Sequence, residues 1–226
     1  MRAEFNSINS IFAFKIQHFI MLDYTLADKE LLNSSDPNGF MLFIPDKPYV
    51  VLGRSNKISS SVNTENTEAD KIKIIRRPSG GESVFLSPKM LIISIKMAIV
   101  KGEKPDFYFR KANGLITDCL IQQGVENIHS KGISDLSIGN KKILGSSIYR
   151  NNNSMFYHAV LNINEDINLI TKYLKHPKRE PHYRQGRIHS SFVTSLEKEG
   201  YMINGISILQ CIENHLRTTF FVTFVP

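Results

Sequence analysis

Residues 134–147 read Ser134-Asp135-Leu136-Ser137-Ile138-Gly139-Asn140-Lys141-Lys142-Ile143-Leu144-Gly145-Ser146-Ser147. Two short β-rich runs, 135–138 and 142–144, flank the two-residue turn Gly139-Asn140, which is a hairpin signature. Side chains alternate faces along a strand, so Lys141 and Lys142 are expected to point to opposite sides. One of them then faces inward, which is costly unless it meets an anion. Asp135, at the start of the preceding strand, is a candidate partner for that lysine or a candidate metal ligand. A twisted edge hairpin with both lysines in solvent fits the same residues, and this stretch alone does not separate the two readings.

Upstream lies Arg76-Arg77-Pro78-Ser79-Gly80-Gly81. Residues 72–75 read as a strand that delivers two arginines into a Ser-Gly-Gly turn. Consecutive glycines allow close backbone approach to a ligand and can turn successive N–H groups inward as an anion nest. Arginines beside such a turn can clamp a carboxylate or phosphate in bidentate fashion. A tight turn with two solvated arginines is the competing reading. No Gly-Lys-Ser/Thr closes the loop, so it is not a Walker loop.

Around these two stretches, residues 1–20 have no clear period and read as a leading strand or an extended arm, while the pattern predicts a helix over 21–32 and a hairpin joining 40–44 to 49–52 through Pro45-Asp46-Lys47-Pro48. A short helix is expected near 65–70 and a buried strand over 90–97. An amphipathic helix follows over 106–123, a strand over 156–163, and helices over 165–174 and 205–217. One helix, then strands with interspersed helices, gives an α+β fold with a mixed or antiparallel sheet and flanking helices, without regular βαβ alternation.

The chain has 226 residues, 42% of them hydrophobic and 22% charged, the profile of a folded domain. Its 28 Lys+Arg against 21 Asp+Glu leave a formal charge of +7, which suits an anionic partner or simply solubility. Basic residues concentrate in 71–77 and in 172–187, the latter an irregular loop with Tyr173, Tyr183, Pro177 and Pro181. Without an RNP pattern, zinc-finger spacing or basic heptads, nucleic acid is not the favoured partner. No apolar run approaches the roughly 20 residues of a membrane span, so no membrane association is expected. Two cysteines cannot form a disulfide framework, and a reducing, cytoplasmic setting is expected. Cys119 and Cys211 fall on apolar helical faces and read as buried structural thiols. The seven histidines show no HxxxH or HExxH pair, so the sequence gives a zinc site no support. His158 sits on a strand where it either projects into a pocket or is a satisfied core histidine.

Together the two stretches resemble a known family. Arg76-Arg77-Pro78-Ser79-Gly80-Gly81 is similar to the RRxSGGG signature of the lipoate–protein ligase superfamily, which includes biotin ligases and octanoyltransferases. Lys142-Ile143-Leu144-Gly145-Ser146 resembles its K-x-x-G-S/N motif, in the expected order, about sixty residues on. Val51-Leu52-Gly53-Arg54-Ser55-Asn56 resembles the upstream GR-x-N segment. Residues 173–177 and 181–189 resemble the C-terminal part of single-domain members. The similarity spans about residues 20–196.

The resemblance implies a biotin/lipoate ligase-like catalytic domain, expected here as a single domain over 1–226 without the separate C-terminal accessory domain of longer ligases. It implies activation of lipoate or a related medium-chain acid with ATP and Mg2+, then transfer of the acyl group to a lysine of a lipoyl-type acceptor domain. Lys142 matches the catalytic lysine. Ser79, Gly80, Gly81 and Ser83 match the loop lining the acyl-adenylate site, flanked by Arg76 and Arg77. Arg54, Gly145 and Ser146 belong to the matching binding segments. Asp135 matches an acidic position associated with magnesium and nucleotide, and His158 matches a histidine of the F-H-H-G-like strand. Three positions depart from the pattern: Glu82 replaces the third glycine, Leu86 a histidine, and Tyr157-His158-Ala159 the H-H-G run. A transferase using preactivated lipoyl-AMP or an octanoyl donor, and a non-catalytic basic binding module, are the alternatives. Neither cysteine falls where a thioester-forming nucleophile of the octanoyltransferases is expected.

Overall fold

A computed structural model describes residues 23–220, with side chains to residue 218. The strand or arm expected over 1–20 lies outside the described residues.

The longest strands assemble one antiparallel sheet. β1 (Gly39–Phe43) pairs with β5 (Met90–Ala98), β5 with β9 (Ser154–Asn162), and β9 with β8 (Lys141–Arg150). β7 (Asp135–Ile138) and β6 (Ile128–Lys131) complete the order β1-β5-β9-β8-β7-β6. A second, three-stranded sheet has β2 (Tyr49–Leu52) at its centre, parallel to β3 (Lys73–Arg76) and antiparallel to β4 (Val84–Leu86). The short helices α2 (Ile58–Ser61) and α3 (Thr64–Ala69) make the crossover between β2 and β3 that a parallel pair requires. The expected α+β class with mixed and antiparallel pairing is what the chain adopts.

Alternation divides the large sheet into two working faces. Leu91, Ile93, Ile95 and Met97 of β5, with Tyr157, Ala159 and Leu161 of β9, pack against helices α4 (Pro105–Gln122) and α7 (Gly205–Phe220). The opposite face carries Met90, Ile92 and Ser94 beside His158, Val160 and Asn162. It is covered by the small sheet, α5 (Ile167–Tyr173) and the irregular segment 174–193, including the short helix α6 (His189–Phe192).

Two expectations are corrected. Residues 40–44 and 49–52 do not form a hairpin, because β1 joins the large sheet and β2 the small one. Pro45 and Pro48 supply no N–H donors to a ladder between them. All four residues of β2 are buried, which requires strands on both sides. The helix expected over 21–32 contracts to α1 (Lys29–Asn33). Before it, Tyr24, Leu26 and Asp28 are buried alternately with exposed neighbours, so a period of two overrides the helical spacing.

Candidate active site

The hairpin of β7 and β8 turns through Gly139-Asn140, pairing Ile138 with Lys141 and Ser137 with Lys142. Lys141 faces solvent and meets Glu199 at 3.3 Å. Lys142 faces inward. A bulge follows it, since Leu136 pairs with Leu144 and leaves Ile143 as the extra residue. Its carbonyl is held by the Thr194 N–H at 2.9 Å. Lys142 Nζ lies 2.8 Å from Asp135 Oδ1, and the carboxylate is buried. Tyr183 donates to Asp135 Oδ2 at 2.8 Å, and Ser134 to Oδ1 at 3.1 Å. Burial, then the nearby Asp135 carboxylate, raise the Tyr183 phenol, so it stays a proton donor at neutral pH. Both Asp135 oxygens are therefore occupied. They fit a counter-ion for Lys142 better than a magnesium ligand, and among the described residues no cluster of three His, Cys, Asp or Glu ligands includes Asp135.

Across from this pair lies the loop entered from β3. Arg77 is buried and its guanidinium fills the loop: Nε donates to Ser79 Oγ at 3.0 Å, and Nη2 to the carbonyls of Gly80 and Glu82 at 2.7 and 2.8 Å. Burial lowers its pKa to about 10, still well above neutral pH. Arg76 Nη1 lies 2.9 Å from the carbonyls of Gly53, Arg54 and Asn56. Both arginines thus brace backbone. Gly81 has φ +87°, open to glycine with little strain, and a Cβ on Gly53 would run into the Gly81 carbonyl. Ser79 Oγ is 3.4 Å from Ser147 Oγ, tying the loop to β8. No described residue accepts a hydrogen bond from the N–H groups of Gly80, Gly81 or Glu82.

A cavity of about 680 Å³ lies between these parts. Lys142, Asp135, Gly145, Ser146, Gly81, Ser83, Arg77 and His158 all line it. Arg54, Arg76, Ser79 and Gly80 do not: Arg54 and Gly80 are exposed, and Arg76 and Ser79 brace the loop from behind. Gly145 is there for space, because a Cβ on it would sit 2.6 Å from both Cε and Nζ of Lys142. Glu82 also lines the cavity, with its Oε2 3.5 Å from the Asn56 amide nitrogen.

The cavity middle is apolar, with Ile92, Val160, Val51 and Leu86 among its walls. Within reach of the Arg77 charge its lining includes a buried polar cluster that sequence reading missed. Asp28 is fully buried and accepts from Tyr24 Oη and Ser94 Oγ, each at 2.6 Å. His158 Nε2 approaches Asp28 Oδ2 at 3.1 Å, outside hydrogen-bond alignment. Burial lowers the His158 pKa to about 4, against the pull of Asp28, and leaves the ring neutral. These groups lie far apart in the chain, and Asp28 falls in a segment whose local pattern read as helix. The other miss is Arg184, in the basic loop over the cavity. Its guanidinium is buried and stacked on Phe192, 4.6 Å from the ring centroid, with Nη2 unpaired among the described residues. Burial lowers its pKa as well.

Lysine and arginine charge at one end and apolar walls in the middle make a site for a small molecule with an anionic head and an apolar tail. The comparisons place the chain within a family. It belongs to the family of the lipoyl protein ligase A/B catalytic domain, whose profile matches residues 20–218. It is similar to lipoate–protein ligase 1 of Staphylococcus aureus, 28% identical over 155 residues, covering 68% of this chain and 46% of that protein. The chain thus spans about half the length of that relative. Among solved structures, a bipartite lipoate protein ligase, studied with its E2 lipoyl domain, from Thermoplasma acidophilum has a TM-score of 0.70 at 18% identity, covering 82% of this chain and 72% of that one. A lipoate–protein ligase A bound with ATP has a TM-score of 0.69 at 16% identity, covering 82% and 74%. These two likenesses establish the fold.

Proposed function

We propose that this chain acts as a lipoate–protein ligase catalytic domain, joining lipoate or a related medium-chain acid to a lysine of a lipoyl-type acceptor domain through an acyl-adenylate. The Lys142–Asp135 pair, aimed into the cavity at 2.8 Å, carries the reading. In the first half-reaction the acid's carboxylate oxygen attacks the α-phosphorus of ATP and pyrophosphate leaves. In the second, the acceptor amine attacks the acyl carbonyl and AMP leaves, giving the amide. Charge builds on the carbonyl oxygen and on the departing phosphate, and a fixed ammonium between them stabilises both. Asp135 holds that ammonium in place at 2.8 Å.

The N–H groups of Gly81 and Glu82 and the free Nη2 of Arg184 supply further donors for phosphate oxygens. ATP enters with magnesium as its own counter-ion, and no step is assigned to an ion on Asp135. The acyl chain lies along the apolar walls, Ile92 and Val160 among them. A structural neighbour bound with ATP, and another studied with its E2 lipoyl domain, support these substrates and this partner.

Intact-mass analysis of a lipoyl-type acceptor domain tests the reading, using this protein with ATP, magnesium and lipoate in one tube and preformed lipoyl-adenylate in another. Acyl addition in both tubes is expected. Addition only from the adenylate would place the defect in activation, where Glu82 faces the cavity. No addition in either tube overturns the proposal.

A further inference from the structure

Helices α4 and α7 pack side by side on the face of the large sheet away from the cavity, and three metal-ligating side chains meet between them. Cys211 and His215 are four residues apart on α7, hence on one face of that helix. Cys119 projects from the core-facing side of α4 toward them. Cys119 Sγ is 3.4 Å from His215 Nδ1, and Cys211 Sγ is 3.9 Å from the same nitrogen. All three ligand atoms lie within 4.8 Å of one another. A tetrahedral zinc ion with ordinary bond lengths needs S···N edges of about 3.5 Å and an S···S edge of about 3.8 Å. The side chains already stand near those positions. Cys119 is buried while Cys211 and His215 are half-buried, so an ion has a route from solvent.

We propose that Cys119, Cys211 and His215 form a binding site for one thiophilic metal ion, Zn2+, joining α7 to α4. Two thiolates balance the charge of Zn2+, so the filled site is neutral, which suits its burial. Binding releases both thiol protons to solvent. His215 Nδ1 now lies 3.0 Å from the Cys211 carbonyl, a contact that places a proton on Nδ1. The metal takes the direction of that proton, so the ring turns off the carbonyl and the proton moves to Nε2, with Gln122 nearby: its amide nitrogen is now 3.2 Å from Nε2 and its Oε1 is 3.5 Å from Cys211 Sγ. A turn of that amide gives Nε2–H an acceptor, the second contact that orients a metal-bound imidazole. Water completes the tetrahedron. This site is independent of the proposed ligase chemistry, since none of its residues lines the cavity.

The test uses the reduced full chain, titrated with Zn2+ against a chromophoric chelator and with Co2+ as a spectroscopic probe. One equivalent of Zn2+ per chain is expected, with thiolate-to-cobalt charge-transfer absorption and a rise in Tm on metal addition. Cys211→Ser and His215→Gln, both at half-buried positions, are expected to weaken Zn2+ binding at least tenfold. His176→Ala, at an exposed histidine paired with Glu180 in the segment 174–193, is expected to leave it unchanged. Absence of the thiolate–cobalt band, unchanged affinity in both variants, or loss of binding in His176→Ala would overturn the proposal. So would a Cys119–Cys211 disulfide forming in air with no Zn2+ uptake by the reduced chain, which would make these residues a redox pair instead.

Discussion

The ammonium of Lys142 occupies the space that a side chain on Gly145 would fill: a Cβ there would lie 2.6 Å from Nζ. The two residues are three apart on one strand, and the bulge at Ile143 folds the lysine back over the glycine. Gly145 has no positive φ, so alanine suits its backbone. Gly145→Ala is therefore expected to leave stability within about 1 kcal/mol of the parent while swinging the ammonium away. Acyl transfer from lipoyl-adenylate should fall at least tenfold in kcat, with KM little changed. Denaturant melts and single-turnover transfer on the same preparation check both halves.

Removing the ammonium goes further. Lys142→Ala is expected to lower transfer about 10²–10³-fold, the usual effect of deleting one preorganised charge at a developing oxyanion. The fold should survive, because Lys142 is partly exposed at the cavity wall. Asp135→Asn keeps the shape and removes the counter-charge. Its transfer rate should fall less than in Lys142→Ala, since the ammonium stays but loses the 2.8 Å contact that positions it. Single-turnover rates of the two variants distinguish the roles.

Arg184 offers a buried guanidinium nitrogen with no partner among the described residues. Arg184→Gln should weaken ATP binding roughly tenfold while leaving binding of the free acid unchanged. Calorimetry with each ligand separately reads the difference. Equal losses for both would show that Arg184 only supports the loop.

His158 links stability to pH. Its folded pKa, about 4, lies below the unfolded value of 6.5, so between these values the unfolded chain holds more protons. Stability from this residue is complete above pH 6.5 and is lost as pH falls toward 4, by about 3 kcal/mol for a shift of this size. Urea unfolding between pH 4 and 7 should show the slope. His158→Asn should flatten it, whatever its effect on stability at pH 7.

Much of the site was legible because its parts are local. Gly139-Asn140 makes a turn from two neighbouring residues, and alternation then sends Lys141 and Lys142 to opposite faces. The arginine–glycine loop at 76–81 was equally visible, with a ligand clamp and solvated arginines both open, and the fold shows that both arginines also brace carbonyls of their own walls. Adjacency in sequence identifies a donor, and only the fold shows which acceptors surround it.

The remaining features depend on contacts between distant segments. Ser94 reaches Asp28 across 66 residues, and Cys119 reaches His215 across 96. No local spacing encodes such meetings, which is why Cys119 and Cys211 read as inert thiols and Asp28 as a turn of helix. The separation of β1 from β2 has the same origin, since burial on both sides of β2 outweighs the proximity of the two strands in the chain. The sequence by itself determined the α+β class, the hairpin and the loop that face the cavity, because periodicity and turn chemistry act over a few residues. The tertiary structure alone decided the buried polar cluster at the cavity, the placement of Arg184 and the cysteine–histidine cluster, because each depends on how whole sheets and helices pack.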